Sequence, residues 1–582
     1  MATTEKRPLE REAQASSDTP VEKKVKVVDT CDSDDKQNDG DVIENGAASD
    51  TKLQEESAEN QKKHTDSNES NNGALQSEES CESEKQDNFE NSANESLNDK
   101  ASEEVSNKLT EREQEEATNG KEQDGEAAVA LDESSRDSTI STGSASGANT
   151  QTAPEGKKRF RVPQSEHIGV LLLAGQHNWD MCGRHRNSKC AERSSEKGPL
   201  WTFHRIKDLE GIRVRRVVSH CTAAHTIIIT EEGKTMAWGR NEKGQLGVGD
   251  TVRRDHPTMI EDLKDFRVVD AACGRSHTLV LTDRGSVFTF GENKMGQLGL
   301  GNQHPVIHTP SKITFKEGPV VKVACGAEFS MIITNRGCLY SFGCPEYGQL
   351  GNNTDGKYFA HNNRLTFNCE LLPIRVSIFI EKTKEGLISP VDNVFITDIA
   401  CGTNHTIATD SQKRAFSWGF GGYGRLGHAE PKDEFVPRLI KAFDGLNRGV
   451  KKVFAGSIFS LAIGELGGLF LWGQTKRAGD ANMYPKPVQD FHGWDVRDVA
   501  CGNSSLVVVA EDTLVTWGPS PTFGELGHGE RLKSTSKPME VSYMEGVHIH
   551  TASCGICHTL LIAKDDTEED RQKLEKFAVF EP

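Results

Sequence analysis

The sequence predicts an all-β fold, a seven-bladed β-propeller preceded by a long, acidic, disordered N-terminal tail. Two observations lead to this prediction. From residue 167 onward, one pattern returns about every 50 residues, which is the length of a four-stranded blade. The pattern is an apolar run ending in small-Cys-Gly, a His three residues later, then Trp/Phe-Gly, then Gly-Gln-Leu-Gly. Before residue 157 the only aromatic side chain is Phe89, and acidic residues dominate.

The tail is defined by its charge. Residues 29–137 contain 33 acidic and 10 basic side chains, a net charge of −23, whereas the whole chain carries −19. A self-repelling segment with few apolar side chains cannot offset its ordering entropy, so disorder is predicted for residues 1–156. The propeller is assigned to residues 157–565, and residues 566–582 form a C-terminal tail. Within this tail a short surface helix is predicted over residues 567–577.

The propeller repeats are counted from their openings and closures. Seven units open, at Ser219-His-Cys-Thr222, Ala272-Cys-Gly274, Ala324-Cys-Gly326, Ala400-Cys-Gly402, Ala455-Gly456, Ala500-Cys-Gly502 and Ser553-Cys-Gly555. Six close, at Trp238-Gly239, Phe290-Gly291, Phe342-Gly343, Trp418-Gly419, Trp472-Gly473 and Trp517-Gly518. The spacing of Gly169 and Gly175 matches the closing strands, so the segment 168–175 is predicted to complete the last blade beside 558–562. A closed ring has no free strand edge, and we expect a monomeric propeller.

Two irregularities stand out against the repeat. Gly326 and Gly402 are 76 residues apart, whereas Gly274 and Gly326 are 52 apart. Within the longer interval, the runs 375–380 and 387–390 flank a charged segment, which predicts a projecting hairpin. After Gly473 the usual Gln-Leu-Gly turn is missing, so the blade near 473–485 is degenerate.

Residues that resemble chemical sites are better explained by the repeat. His225, His277, His405 and His558 share one repeat position, so they are spread around the ring and a structural role is favoured. The glycine run 419–424 is followed by a blade turn rather than a helix, which excludes a dinucleotide site. Zinc ligation by Cys554 and Cys557, with Cys182, His185 and Cys190, is disfavoured. We predict no catalytic residues, no metal and no cofactor.

Basic clusters predict where the protein acts. Lys6 and Arg7, followed at a distance by Lys23, Lys24 and Lys26, have the form of a bipartite nuclear import signal; the alternative is a solvated charged stretch. The cluster 157–161 precedes the propeller, and Arg213, Arg215 and Arg216, with Arg184 and Arg186, are candidates for a phosphate-facing patch. No apolar run reaches the length of a membrane span, and the protein is expected to be intracellular with its cysteines as thiols.

The repeat resembles that of the regulator-of-chromosome-condensation family over about 400 residues. The resemblance rests on four stretches, 241–247, 291–299, 341–350 and 417–428. The founding member is a nucleotide exchange factor for the Ran GTPase and acts through a wedge between Trp-Gly and the following Gly. Here the corresponding intervals, such as Gly291 to Gly296, are short and carry no wedge.

The four stretches look most like a family member associated with small GTPases of the Rac and Ral type, inner centromeres, the spindle midzone and microtubules. This resemblance implies a regulator of such GTPases. No covalent chemistry is expected, and the protein would at most catalyse guanine nucleotide exchange. The hairpin is the protrusion that a GTPase would meet, formed by Glu381, Lys382, Thr383, Lys384, Glu385, Gly386, Leu387 and Ile388.

A non-catalytic scaffold is the alternative function. Such a scaffold would recruit mitotic chromosomal proteins or microtubules, and its acidic tail favours basic partners such as histones, whereas the basic clusters favour nucleic acid. Either function implies the nucleus and nucleolus, centromeres, the spindle midzone, the cytoskeleton and the cytoplasm as locations.

Overall fold

The structure is a computed structural model that describes residues 160–183, 198–475, 479–518 and 523–582. The predicted tail, 1–156, therefore lies outside the described residues. The described residues are mostly β-strands, joined by tight turns and by single turns of 3-10 helix. None of their helices has the length and apolar character needed to cross a membrane.

The strands follow one another in chain order. The first two are β1 (Gly169–Gly175) and β2 (Leu200–Ile206). The next eight are β3 (Val214–Val218), β4 (His225–Thr230), β5 (Thr235–Gly239), β6 (Arg254–Met259), β7 (Val268–Cys273), β8 (His277–Thr282), β9 (Val287–Glu292) and β10 (Val306–Lys312). Then come β11 (Val320–Cys325), β12 (Phe329–Thr334), β13 (Leu339–Gly343), β14 (Lys357–Phe359), β15 (Leu365–Phe367), β16 (Glu370–Val376), β17 (Ile380–Lys382) and β18 (Ile388–Pro390).

The second half of the chain continues in the same way. Its strands are β19 (Ile396–Cys401), β20 (His405–Asp410), β21 (Ala415–Gly419), β22 (Glu434–Leu439), β23 (Val450–Ala455), β24 (Phe459–Gly464), β25 (Leu469–Gly473) and β26 (Asn482–Pro487). The last are β27 (Val496–Cys501), β28 (Leu506–Ala510), β29 (Thr513–Gly518), β30 (Thr535–Glu540), β31 (Ile549–Cys554), β32 (His558–Lys564) and β33 (Val579–Phe580), with helix α1 (Glu568–Glu575) before β33.

These strands form seven antiparallel blades, which confirms the predicted β-propeller. Blades 1 and 2 are β3–β6 and β7–β10, and blade 3 is β11–β13 with β16. Blades 4, 5 and 6 are β19–β22, β23–β26 and β27–β30, and blade 7 is β31, β32, β1 and β2. Among the described residues, Gly169↔Val214 is the one strand pair between blades 7 and 1. The degenerate blade 5 keeps all four strands.

The ring closes through its first strands. β1 pairs with β32 along its whole length, from Gly169↔Lys564 to Gly175↔His558, which is the position that the glycine spacing predicts. The innermost strands contact one another in the order β3, β7, β11, β19, β23, β27 and β31, and β31 contacts β3 again. Each blade therefore buries its faces against two neighbours, and the apolar core lies between blades.

The C-terminal residues lock blade 7 from outside. α1 begins with a capping box between Thr567 and Asp570, which satisfies the first backbone N–H groups of the predicted helix. Behind it, β33 pairs in parallel with β2, so blade 7 gains a fifth strand. Phe577 and Phe580 are each 7% exposed and fill the space beneath this segment.

A ring of charged side chains, here called the charge ring, surrounds the centre of the propeller. Its members occupy the same register position on the innermost strands of six consecutive blades and alternate in sign: Arg216, Asp270, Lys322, Asp398, Lys452 and Asp498. Each cation pairs with the carboxylate of the next blade. Seven positions cannot alternate completely, and blade 7 carries the neutral Thr551.

Candidate functional site

The repeated histidines connect neighbouring blades and take no part in a site. The Nε2 atoms of His225, His277 and His405 each lie 3.0 Å from a hydroxyl oxygen of the next blade. His558 makes the same contact with Thr226. All four rings are fully buried, and burial lowers their pKa. The predicted structural role is confirmed.

The same geometry explains why a glycine precedes three of the four histidines by three positions, whereas Thr222 stands at that place before His225. A Cβ atom on Gly274 would lie 2.1 Å from Cε1 of His277, and the Gly402–His405 and Gly555–His558 pairs are equally close. In blades 3 and 5, Phe329 and Phe459 take the place of the histidine over Gly326 and Gly456. The repeated Gly-x-x-His is thus a packing unit.

The centre of the ring holds a cavity of about 220 Å³ lined by small side chains and by cysteines of several blades. His220 reaches across it from blade 1, with Nε2 3.0 Å from the Cys401 carbonyl oxygen of blade 4. Burial raises the pKa of the thiols of Cys221 and Cys554 to about 12. These thiols are therefore protonated and inert, like small apolar side chains.

The candidate zinc ligands do not converge where they are described. Cys554 lines the central cavity, whereas Cys557 lies beside Cys182 on the other side of the loop. Among the described residues no three His, Cys, Asp or Glu side chains come together in a metal-binding arrangement. His185 and Cys190 lie outside the described residues.

The predicted hairpin exists and is short. β17 and β18 pair from Ile380↔Pro390 to Lys382↔Ile388, and a tight turn joins them in which the Gly386 N–H donates to the Thr383 carbonyl over 3.0 Å. Residues 375 and 376 belong instead to the outer strand of blade 3. The hairpin thus lies between blades 3 and 4.

Ion pairs fix the base of the hairpin to blade 4. Glu381 pairs with Lys441, which raises the lysine pKa, and Lys382 lies 3.7 Å from Glu434. Ile380 also pairs in parallel with Arg438 of β22. Glu381 and Lys382 belong to the predicted GTPase-binding residues, and in the structure their side chains also hold the hairpin in place. Thr383 also has an internal role, because its hydroxyl accepts the Leu387 N–H.

The tip of the hairpin is what a partner would contact. Lys384, Glu385 and Gly386 are exposed, and beside them Leu387 and Ile388 are 69% and 57% exposed. Two neighbouring apolar side chains on a rigid stalk, bordered by one charge of each sign, are typical of a protein contact. These five residues form the tip cluster, the candidate site of the molecule.

The structure contains a second hairpin, which the sequence pattern did not predict. The extra residues between Gly326 and Gly402 are shared between the predicted hairpin and the pair β14–β15. This second one, here the aromatic hairpin (357–367), exposes Tyr358, Phe359 and Leu365 by 50%, 74% and 47%. It follows β13 at its Gly343 end, whereas the first hairpin follows β16 at the end paired with Leu339. The two hairpins therefore project from opposite faces of the ring.

The basic clusters are only partly described. The predicted import residues Lys6, Arg7, Lys23, Lys24 and Lys26 lie outside the described residues, as do residues 157–159. Of the predicted arginine patch, Arg184 and Arg186 lie outside the described residues, and the three described arginines do not present a free patch. Their guanidinium groups are used within the propeller, because Arg213 pairs with Asp565 and Asp566, Arg215 donates to two backbone carbonyls, and Arg216 belongs to the charge ring.

Comparison with known proteins places this geometry in a family. Residues 171–561 match the RCC1-like domain. The chain is 53% identical to protein RCC2 of Homo sapiens over 434 residues, which are 74% of this chain and 83% of that protein. It is 30% identical to the ultraviolet-B receptor UVR8 of Arabidopsis thaliana over 423 residues, 70% and 88% of the two chains.

Solved structures share the fold. Human WBSCR16 superposes with a TM-score of 0.55 at 21% identity, covering 68% of this chain and all of that one. Prp20p from Saccharomyces cerevisiae, described with its binding properties to Gsp1p and histones, gives a TM-score of 0.55 at 19% identity and covers 71% and 95%. With the domain match spanning all seven blades, these comparisons show that the chain belongs to the family of RCC1-like domain proteins.

Proposed function

We propose that this protein regulates small GTPases of the Rac and Ral type, and that the tip cluster of the first hairpin is where it contacts them. The observation that carries the proposal is a combination of two features. Leu387 and Ile388 are largely exposed, and the base of their hairpin is held to blade 4 by ion pairs. A held stalk lowers the entropy cost of binding. Prp20p, a yeast protein of the same fold, is described with its binding properties to Gsp1p, which supports a protein partner for this scaffold.

The activity would be a shift of equilibrium rather than covalent chemistry. A regulator that binds the nucleotide-free GTPase more tightly than the loaded form weakens nucleotide binding by that difference in affinity, and the weakened complex releases its nucleotide faster. Such an exchange factor needs complementary surface and no catalytic side chain of its own. The repeat histidines His225, His277, His405 and His558 are buried between blades, in keeping with this mechanism.

Release of a fluorescent nucleotide from a panel of Rac-, Ral- and Ran-type GTPases tests the proposal. We expect the full chain to accelerate release from a Rac- or Ral-type member, and the Leu387→Asp/Ile388→Asp variant to lose that effect. Leu446→Asp is a matched control, because Leu446 is an exposed apolar residue in another loop. Unchanged acceleration by the double variant would refute the assigned site.

A scaffold function is the second candidate, supported by the net charge of −23 on residues 29–137, which favours basic partners such as histones. Histones are also named with the relative Prp20p. A scaffold would bind the GTPase or the mitotic factors without accelerating nucleotide release, so the same panel separates the two functions.

Location is part of the proposal. We propose that Lys6, Arg7, Lys23, Lys24 and Lys26 direct import into the nucleus, from which the protein reaches centromeres and the spindle midzone in mitosis. Alanine at all five positions in the full chain is expected to shift a fluorescent fusion to the cytoplasm in interphase. A nuclear variant would contradict the import assignment.

A further inference from the structure

Two cysteines flank the base of the aromatic hairpin. The last pair between β13 and β16 is Gly343↔Glu370. Cys344 and Cys369 are the next residues outward on these two segments, where the chain leaves blade 3 and returns to it, and their side chains interact. Directly opposed residues of antiparallel strands have Cα atoms roughly 4.5–5.5 Å apart, a separation that a disulfide spans.

The two thiols differ in exposure and in acidity. Cys344 is 2% exposed, whereas Cys369 is partly open to solvent. Interaction with Cys344 lowers the pKa of Cys369, although partial burial and the carboxylates of Glu328 and Glu370 act in the opposite direction. Interaction with Cys369 and burial raise the pKa of Cys344. An accessible, more acidic thiol beside a buried one is the arrangement of an attacking cysteine and its resolving partner.

We propose that Cys344 and Cys369 form a reversible disulfide, with hydrogen peroxide as the oxidant, that staples the base of the aromatic hairpin. The Cys369 thiolate attacks one peroxide oxygen, the O–O bond breaks, and the departing hydroxide takes the proton released by Cys369 to become water. The Cys344 sulfur then attacks the Cys369 sulfenic acid, the S–O bond breaks, and a second water leaves with the Cys344 proton. Two thiols are oxidised, and one peroxide is reduced to two waters.

The staple closes the segment 345–368 into a covalent loop. That segment carries the exposed side chains Tyr358, Phe359 and Leu365, so oxidation restricts the opening of the stalk that presents them. The hairpin is attached to blade 3 at this base, where Gly356 packs against Pro345. Oxidation of this pair therefore changes only the surface of the aromatic hairpin, which lies on the face opposite the tip cluster.

A second thiol pair supplies an internal comparison. Cys182 and Cys557 also lie beside each other, but they are 0% and 5% exposed, and burial raises the pKa of Cys182. Peroxide must reach a thiolate to react, so this pair is expected to stay reduced under conditions that oxidise Cys369. Adjacency alone would predict that both pairs oxidise together.

Peptide mapping of the full chain tests the proposal. After brief treatment with peroxide and blocking of free thiols, we expect one cross-linked peptide pair containing Cys344 and Cys369, which dithiothreitol separates. Cys344→Ser should leave Cys369 as a sulfenic acid that dimedone traps, and the control Cys338→Ser should keep the cross-link. The wild-type chain carries the main result, so it does not depend on the folding of a serine variant.

The outcomes are distinct. The proposal is overturned if Cys344 and Cys369 remain reduced, and so are recovered with the blocking group, at a peroxide dose that oxidises the half-buried Cys338. A disulfide from Cys369 to Cys31, Cys81 or Cys190 would also overturn it. As a second readout, trypsin should cleave the oxidised chain at Arg364 roughly tenfold more slowly than the reduced chain. Equal cleavage rates would refute the stapling effect.

Discussion

The buried histidines make the propeller sensitive to acid, and His277→Phe tests this most clearly. His277 is fully buried over Gly274, and burial lowers its pKa to about 3. In the unfolded chain the pKa of a histidine is about 6.5. As the pH falls below that value the unfolded state takes up a proton that the folded state refuses, so stability is lost as the pH decreases toward 3.

The magnitude follows from the two pKa values. Between pH 7 and pH 5 one such histidine costs about 2 kcal/mol of the free energy of unfolding. His225 has a pKa of about 3 and His558 of about 4, so with His277 the loss is about 6 kcal/mol, a large part of the stability of an ordinary domain. Burial lowers the pKa of His405 in the same direction.

Phenylalanine is a suitable replacement because Phe329 and Phe459 occupy the same position in blades 3 and 5. The variant loses the 3.0 Å contact with Ser330, which costs about 1 kcal/mol at pH 7. Its further loss between pH 7 and pH 5 should be about 2 kcal/mol smaller than that of the wild type.

Urea unfolding at both pH values measures the difference, with the exposed His304→Phe as the control. If His277→Phe and the wild type lose the same free energy between pH 7 and pH 5, burial of a neutral histidine is not the cause of the acid sensitivity.

Three further predictions concern stability, each measured by urea unfolding at pH 7. Gly402→Ala should lower the free energy of unfolding by about 3 kcal/mol, because its Cβ would lie 2.1 Å from His405 Cε1. A loss below about 1 kcal/mol would show that the His405 imidazole moves freely out of the way. Asp398→Ala should lower the free energy of unfolding by about 2 kcal/mol and Lys322→Ala by about 1 kcal/mol, because the pair is partly buried. The double variant should lose less than the sum of the two, and full additivity would contradict the charge ring. Phe580→Ala should cost about 3 kcal/mol, and wild-type stability would mean that β33 does not lock blade 7.

Much of the fold could be predicted because the repeat is regular. A glycine three positions before His277, His405 and His558 and a glycine closing each blade are local requirements of the backbone, so they appear in the sequence at fixed spacing. The closing strand β1 shares that spacing. The charge ring also left a signal, since its members occupy one repeat position, but alternation of sign becomes meaningful only when neighbouring blades are known to touch.

The site was harder to predict. The contacts of Glu381 with Lys441 and of Lys382 with Glu434 join residues about 50 to 60 positions apart, and no local pattern shows them. The extra residues of blade 3 have no repeat to compare with, so their division into two hairpins on opposite faces required the strand register. The sequence located the insertion, and only the packing distinguishes its anchoring residues from the exposed tip cluster.

The most direct test of the proposed function is the affinity of the full chain for a nucleotide-free Rac- or Ral-type GTPase, compared with that of Leu387→Asp/Ile388→Asp. Burial of these two side chains by a partner is worth about 2–4 kcal/mol, so the double variant should bind roughly 30- to 1000-fold more weakly, while Leu446→Asp binds as the wild type does. Equal affinities of the wild type and the double variant would contradict the account.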